Sequence, residues 1–339
     1  MTKILNVNYK NLIEVSNLIL NDEVVAIPTE TVYGLGANGL SETAVLKIFK
    51  AKNRPADNPL ILHISDYEMM NELAFGLDEN LKTFLKNFWP GPLTVVMKKK
   101  SIIPDAVSCG LDTVAIRMPK NEIARKIIEL SKVPIAAPSA NISGRPSPTN
   151  AKDVYFDMNG KISAIVDGGE CKIGIESTVL DITSKPYTIL RPGFYTRDDF
   201  LKYEEEVLID TALSNENQIP KSPGQKYKHY SPKAKVLVVS TMDRKKSKLK
   251  IEELIEENKN LKLGIFKFEE TNLKFENCIS LGSVSNLNQM SKKLFSGLRS
   301  FDADNVDLII VEGCEEKGLG FSIMNRLKKS ANGNIIYLD

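Results

Sequence analysis

Three cations fall within five residues at Lys50, Lys52 and Arg54, and the chain then turns at Pro55 and Pro59 into an apolar run ending in His63. A helix ends, a loop turns and a strand begins, which sets the charges beside a strand end, where α/β proteins hold anionic ligands. Two further arginines occupy places where a charge needs a partner. Arg117 sits mid-strand in Val114–Pro119 between apolar neighbours, and Arg191 follows a strand in Ile189–Gly193. A desolvated arginine needs an anion, so the three segments together predict one anion-binding cleft. The plain alternative for Lys50, Lys52 and Arg54 is a solvated helix end, since cations favour helix C-termini.

Other polar groups converge on the same kind of place. Thr29, Glu30 and Thr31 follow the first strand and either grip a polar substrate or close a turn on their own backbone. The small residues of Ala136–Asn141 let a backbone approach a ligand, and Ser139, Asn141, Ser143 and Ser147 supply donors. Gly174–Val179 leads Ser177 and Thr178 toward the cleft, with a turn as the plain alternative. A serine hydrolase is disfavoured because no G-x-S-x-G elbow exists and His63 and His229 are the only histidines. Gly34–Gly39 matches G-x-G-x-x-G. Six residues separate it from the strand ending near Ile27, however, and cations follow where a ribose-binding acid belongs, so it reads as a glycine-rich turn. No Walker A sequence occurs. Cys109, Cys171, Cys278 and Cys314 form no C-x-x-C pair, which argues against a zinc site or a disulfide framework.

The elements that must position these residues alternate in type. Strands are expected at Val24–Ile27, Leu60–Ile64, Leu93–Met97, Thr113–Met118, Ile135–Ala137, Ala164–Val166, Thr178–Ile182 and Thr188–Leu190. Helices are expected at Ser41–Lys52, in two pieces over Tyr67–Phe88 broken near Gly76, and at Asn121–Lys132. Such an order predicts an α/β sheet that is not purely parallel. From about Lys202 to Lys235 the pattern dissolves into a Pro-, Lys- and Tyr-rich linker. A second alternation follows, including an amphipathic helix over Asn286–Phe301 with Leu287, Met290, Leu294, Leu298 and Phe301 on one face. The domains are therefore 1–205, a linker or lid 206–234, and a C-terminal α/β domain 235–339. The chain has 339 residues and a net charge of +2, so any basic site is local rather than a general polycation. The N-terminus lacks a signal-peptide core, and no run approaches the roughly 20 apolar residues of a membrane span. A cytoplasmic, reduced protein is expected.

These segments resemble the YrdC-like family in its long, two-domain form, the threonylcarbamoyl-AMP synthases. The resemblance runs through Pro28–Gly36, Lys50–Leu60, Trp89–Thr94, Ala115–Pro119, Ala137–Asn141, Asp167–Gly169, Glu176–Thr178, Leu190–Gly193 and Ser222–Tyr230. It implies a twisted, open mixed sheet with flanking helices and a small Rossmann-like C-terminal α/β domain. The implied reaction joins L-threonine, bicarbonate or carbon dioxide, and ATP into L-threonylcarbamoyl-adenylate with release of pyrophosphate. A second enzyme passes the threonylcarbamoyl group to an adenosine beside the anticodon of certain tRNAs. By the resemblance Thr31, His63, Arg117, Ala137, Ser177 and Thr178 hold threonine. Arg54, Asn58, Thr113, Ser139, Ser147, Arg191 and Tyr230 contact ATP. Lys50, Lys52 and Arg54 offset triphosphate charge as the catalytic cations, magnesium accompanies ATP, and residues 221–232 form a lid. Possible partners are tRNA and the downstream transferase. The competing readings are an RNA-binding module using the same cleft, a carbamoyl transferase or hydrolase, and a nicotinamide dehydrogenase.

Overall fold

The computed structural model describes residues 1–210 and 230–338. It divides into two units. The first takes 1–143, 147–172 and the described residues from 176 to 210. The second takes 144–146, 173–175 and the described residues from 230 onward. The expected boundary at 205/206 moves, because Val207–Ile209 is an edge strand of the first unit rather than linker.

The strands of the first unit are β1 Lys3–Asn6, β2 Val25–Ile27, β3 Gly34–Asn38, β4 Ile61–His63, β5 Leu93–Lys98, β6 Thr113–Arg117, β7 Ile135–Ala136, β8 Ala164–Asp167, β9 Thr178–Asp181, β10 Tyr187–Arg191 and β11 Val207–Ile209. They form an 11-stranded sheet in the order β1-β8-β2-β3-β7-β4-β6-β5-β9-β10-β11. Parallel pairs such as β4 with β6 alternate with antiparallel pairs such as β5 with β6, which is the mixed sheet expected. β1 and the helix Tyr9–Leu20 precede the first element expected from sequence.

The glycine-rich segment 34–39 is a strand that ends in a turn, with Gly39 in the turn closed by the Ser41 N–H on the Asn38 carbonyl at 3.2 Å. Gly34–Asn38 is β3, paired antiparallel with both β2 and β7. Its glycines mark close packing rather than bending. A Cβ on Gly36 would lie 2.8 Å from Ile135 Cγ2, and one on Gly39 2.6 Å from Leu62 Cδ2.

Strand alternation splits the core between the two sheet faces. One face packs Ala26, Leu35, Leu62, Val95 and Ile116 against the helices Glu42–Lys52, Tyr67–Leu73, Glu79–Leu85 and Ala151–Met158. On the other face, Val25, Ile27, Ile135 and Val166 pack against the helices Tyr9–Leu20 and Glu122–Ser131. Further along that second face a small cluster forms from Ile61, Val96, Ala115, Val179 and Leu190, and every member comes from a strand.

In the second unit β12 Lys235–Ser240, β13 Leu263–Lys267, β14 Cys278–Ser280, β15 Leu308–Glu312 and β16 Ile335–Tyr337 build an all-parallel sheet in the order β14-β13-β15-β12-β16. The fourth strand thus lies between the first and second. This order differs from the 3-2-1-4-5 run of the dinucleotide-binding fold. The expected amphipathic helix is Leu287–Ala303, with Met290, Leu294, Leu298 and Phe301 buried.

Candidate active site

The cation-bearing helix begins and ends as its residues dictate. The Ser41 hydroxyl accepts from the Ala44 N–H at 3.3 Å. Asn53 closes the helix in the left-handed conformation, with φ 52°, a role open to asparagine. The cap turns the chain so that Arg54 leaves the helix toward Asn58, whose carbonyl accepts from Arg54 Nη2 at 2.7 Å. Lys50 and Lys52 are two residues apart on a helix and so about 200° apart around it. Lys52 is buried and donates to the carbonyls of Ser139 and, at 2.7 Å, Asn141. Lys50 is exposed and lines a separate cavity of about 890 Å³ together with Glu23, Lys47, Asn53, Lys161 and Ser163. The three cations therefore do not act as one group. Lys52 and Arg54 lie toward the Ser139–Asn141 loop and Asn58, and Lys50 lies on the other side of the helix.

The centre of the site is one rung of the sheet. Register pairs Ile135 with His63, His63 with Arg117, Arg117 with Thr94, Thr94 with Val179, and Val179 with Arg191. Residues paired across strands point to the same face, so His63, Arg117, Thr94 and Arg191 share a row on the helix-poor part of the sheet. Four interstrand steps separate His63 from Arg191, about 19 Å. Arg191 reaches this face through a β-bulge between Ile189 and Arg191. With two residues opposing one, a bulge re-aims a side chain; regular alternation after Leu190 would have turned Arg191 to the other face.

Each side chain in the row is held. Arg117, 4% exposed, donates from Nη2 to Glu30 Oε1 at 2.7 Å, from Nη1 to Thr31 Oγ1 at 2.9 Å and from Nε to the Gly91 carbonyl at 3.3 Å. Burial works against the Glu30 charge, but the adjacent guanidinium outweighs it and holds the carboxyl below its usual range. The anion that sequence reasoning required for Arg117 is therefore supplied by the protein itself. Burial, then the Arg117 charge, brings His63 down to a pKa of about 3, so the imidazole is neutral at physiological pH. Its Nδ1 has no partner among the described residues. Arg191 donates to the Ser177 carbonyl from Nε (3.1 Å) and Nη2 (2.9 Å), and to Ser177 Oγ at 3.0 Å. The Ser177 and Thr94 hydroxyls are 2.8 Å apart.

The remaining expected residues divide. Thr178 was paired with Ser177 in the sequence reading, but alternation turns it to the opposite face, where its hydroxyl donates to the Tyr195 carbonyl at 2.6 Å. The Ala137 N–H is taken by the Ile61 carbonyl at 2.9 Å. Ser147, buried, donates to Glu176 Oε1 at 2.7 Å. Ser139 bridges to Gly34 beside the Lys52 contact. Thr113 opens β6, four residues and about 13 Å from Arg117. Asn58 is 1% exposed, and neither Nδ2 nor Oδ1 of its side-chain amide has a partner among the described residues. A buried unpaired amide is expensive, so a ligand that paired with it would remove that cost. Tyr230 belongs to the second unit, its ring 5.1 Å from that of Phe295. Of the expected lid, residues 221–229 lie outside the described residues. Sequence reasoning left Thr94 without a role, offered Glu30 as a grip on substrate rather than a partner of Arg117, and gave Asn141 only as a donor. Cross-strand register reveals Thr94, and a buried cation in need of an anion points to Glu30.

Comparison with known proteins decides the family. The family described as Telomere recombination matches residues 17–193, and the one described as Threonylcarbamoyl-AMP synthase, C-terminal domain, matches residues 199–332. The threonylcarbamoyl-AMP synthase of Pyrococcus abyssi is 48% identical over 322 residues, covering 95% of this chain and 94% of that protein. The chain belongs to the threonylcarbamoyl-AMP synthase family. The Bacillus subtilis threonylcarbamoyl-AMP synthase is 42% identical over 344 residues, covering 99% of this chain and 97% of its own length. A solved structure of P. abyssi Sua5 complexed with L-threonine superposes with a TM-score of 0.94 at 45% identity, covering all of both chains. As a threonylcarbamoyl-AMP synthase the chain is an enzyme of the nucleotidyltransferase type. A site of cations, amides and hydroxyls suits that class, because phosphoryl chemistry depends on positioning and charge more than on a protein nucleophile. Cys171 agrees: burial pushes its thiol up to about 12, which leaves no thiolate at neutral pH.

Proposed function

We propose that this chain condenses L-threonine, bicarbonate or carbon dioxide, and ATP into L-threonylcarbamoyl-adenylate, releasing pyrophosphate. The observation that carries the reading is the rung His63–Arg117–Thr94, with Arg191 at its far end and the unpaired Asn58 amide near the start of the same strands. Threonine lies at the His63–Arg117 end, where Arg117 takes its carboxylate and Thr31 and Ser177 line the rest. ATP lies toward Asn58, Thr113, Ser139 and Ser147, with Arg54 and Arg191 facing its phosphates. Lys52 places positive charge behind the Ser139–Asn141 loop. The threonine amine adds to carbon dioxide with loss of a proton, or to bicarbonate with loss of water, to give a carbamate. A carbamate oxygen then attacks the α-phosphorus, and pyrophosphate leaves with its charge offset by Arg54, Lys52 and Arg191. Neutral His63 adds no charge beside the amine.

Magnesium enters on ATP, held by its phosphates and water, where it would offset phosphate charge. The donor set supports this: the site offers cations to the nucleotide, while the carboxylates Glu30 and Glu176 are engaged by Arg117 and Ser147. The product is the donor for threonylcarbamoylation of a tRNA adenosine by a downstream transferase. We take tRNA as the destination of the product rather than a ligand of this cleft, because Lys52, Arg117 and Arg191 are buried, which suits a small anion that enters the cleft better than a polymer backbone lying across it. No described helix is long and apolar enough to cross a membrane. A cytoplasmic setting, with ATP at hand, fits the four free cysteines.

The test is pyrophosphate release from ATP with and without L-threonine and bicarbonate. Release requiring both is expected, and release independent of threonine would end this reading.

A further inference from the structure

The ion pair at the amino-acid end is part of a directional hydrogen-bond chain. Arg117 has five N–H donors, of which three are used on Glu30, Thr31 and Gly91. Two remain for a substrate. Glu30 holds the guanidinium from one side, and its second oxygen accepts from the Asn121 N–H at 3.3 Å. Asn121 caps the helix Glu122–Ser131. One carboxylate therefore ties the end of β6 to the 29–33 loop and to a helix start.

The hydroxyls of the 29–33 loop join the same network. Thr29 Oγ1 accepts from the Thr31 and Val32 N–H groups at 3.2 and 3.3 Å, and it lies 2.6 Å from the Val32 carbonyl and 2.8 Å from the Thr31 hydroxyl. Thr31 Oγ1 in turn accepts from Arg117. The loop therefore holds one side of the guanidinium, Glu30 holds another, and the free Arg117 N–H groups present donors. An α-amino acid has the complementary group, a carboxylate that accepts.

We infer that Glu30 is a positioning residue for the amino-acid substrate. It fixes Arg117 so that its free N–H groups meet the carboxylate, with Thr31 holding the guanidinium from the other side. This inference rests on the proposed synthase reading and adds a residue that touches no substrate. Threonine-dependent pyrophosphate release by the full-length protein tests it. Glu30→Gln should raise the KM for L-threonine about tenfold, the size of one charge-assisted hydrogen bond, with the KM for ATP unchanged. In an Arg117→Lys background the same substitution should add almost nothing, because coupled residues are not additive. Glu30→Asp keeps the buried charge and shortens its reach. It should raise the threonine KM by a smaller factor, and it decides the matter if Glu30→Gln does not fold. Equal rises in both KM values, additive effects in the double variant, or wild-type constants in Glu30→Asp would overturn the inference. Loss of threonine dependence in the wild type would instead sink the synthase reading itself.

Discussion

Two parts of one sheet face follow the same alternation and bury opposite kinds of residue. Where β1, β8 and β2 run, the face shows Val25, Ile27, Ala164 and Val166 to the helices Tyr9–Leu20 and Glu122–Ser131. Across β4, β6 and β5 the same face shows His63, Arg117 and Thr94, and Ile135 lies in register beside His63 where one part gives way to the other. In the first part, helices seal the surface with apolar side chains. In the second, an apolar cluster drawn only from strands surrounds buried polar groups whose needs are met by Glu30, Thr31 and Ser177. The lesson is that this site is made by leaving helices out of part of the face and completing it with loops that carry hydrogen-bonding groups.

Substitutions in the two parts should therefore fail differently. The largest effect is expected for Arg117→Ala. It strands the Glu30 carboxylate in a buried place, which should cost about 3–5 kcal/mol of stability, and it removes threonine-dependent turnover. Calorimetry or denaturant melts give the first, and pyrophosphate release the second. Ile128→Ala, in the helix-covered part, should cost about 2–5 kcal/mol through a cavity yet leave the threonine KM of the folded protein unchanged. A changed KM there would erase the distinction between the two parts.

His63 sharpens the comparison through pH. The folded protein holds its pKa near 3, while an unfolded histidine titrates near about 6.5. Between those values the unfolded chain binds a proton that the folded chain refuses, so stability falls as pH drops below about 6.5. The slope from this group approaches about 1.4 kcal/mol per pH unit below pH ~5.5. His63→Gln should lose that slope, and parallel stability curves for the two proteins from pH 4.5 to 7 would show that His63 is not held neutral.

What the sequence made legible follows the same division. The mixed α/β sheet, the cap at Ser41, the helix break near Gly76 and the need of Arg117 for an anion could all be read from local residue types. What stayed hidden depends on cross-strand register. Thr94 gains meaning only when β5 is laid against β6. The bulge that turns Arg191 inward is a property of the β9–β10 pairing. The glycines of β3 were mistaken for a turn because the packing that requires Gly36 comes from Ile135, about a hundred residues away in sequence.

Ser177 and Thr178 test alternation at a smaller scale. Ser177→Ala removes a hydroxyl that touches Thr94 and Arg191, so it should lower turnover several-fold. Thr178→Val removes a bond to the Tyr195 carbonyl on the other face. It should cost about 1 kcal/mol of stability and leave turnover near the wild-type value. Equal kinetic losses would mean that both hydroxyls reach the substrates, and the register of β9 would have to be reconsidered.

The smallest expected effect concerns the motif most visible in the sequence. Lys50 and Lys52 look equivalent when read as a run of charge. On the helix, Lys52 is buried against the Ser139–Asn141 loop and Lys50 is exposed on a different cavity. Lys52→Ala should therefore reduce pyrophosphate release strongly, because it strands two carbonyls and removes charge behind the ATP end. Lys50→Ala should change neither KM nor kcat, and stability by no more than the roughly 0.5 kcal/mol typical of surface substitutions. A loss of turnover in Lys50→Ala comparable with that in Lys52→Ala would return both lysines to one site. Charge spacing along the chain would then have outweighed helix geometry, contrary to the 200° that separates them.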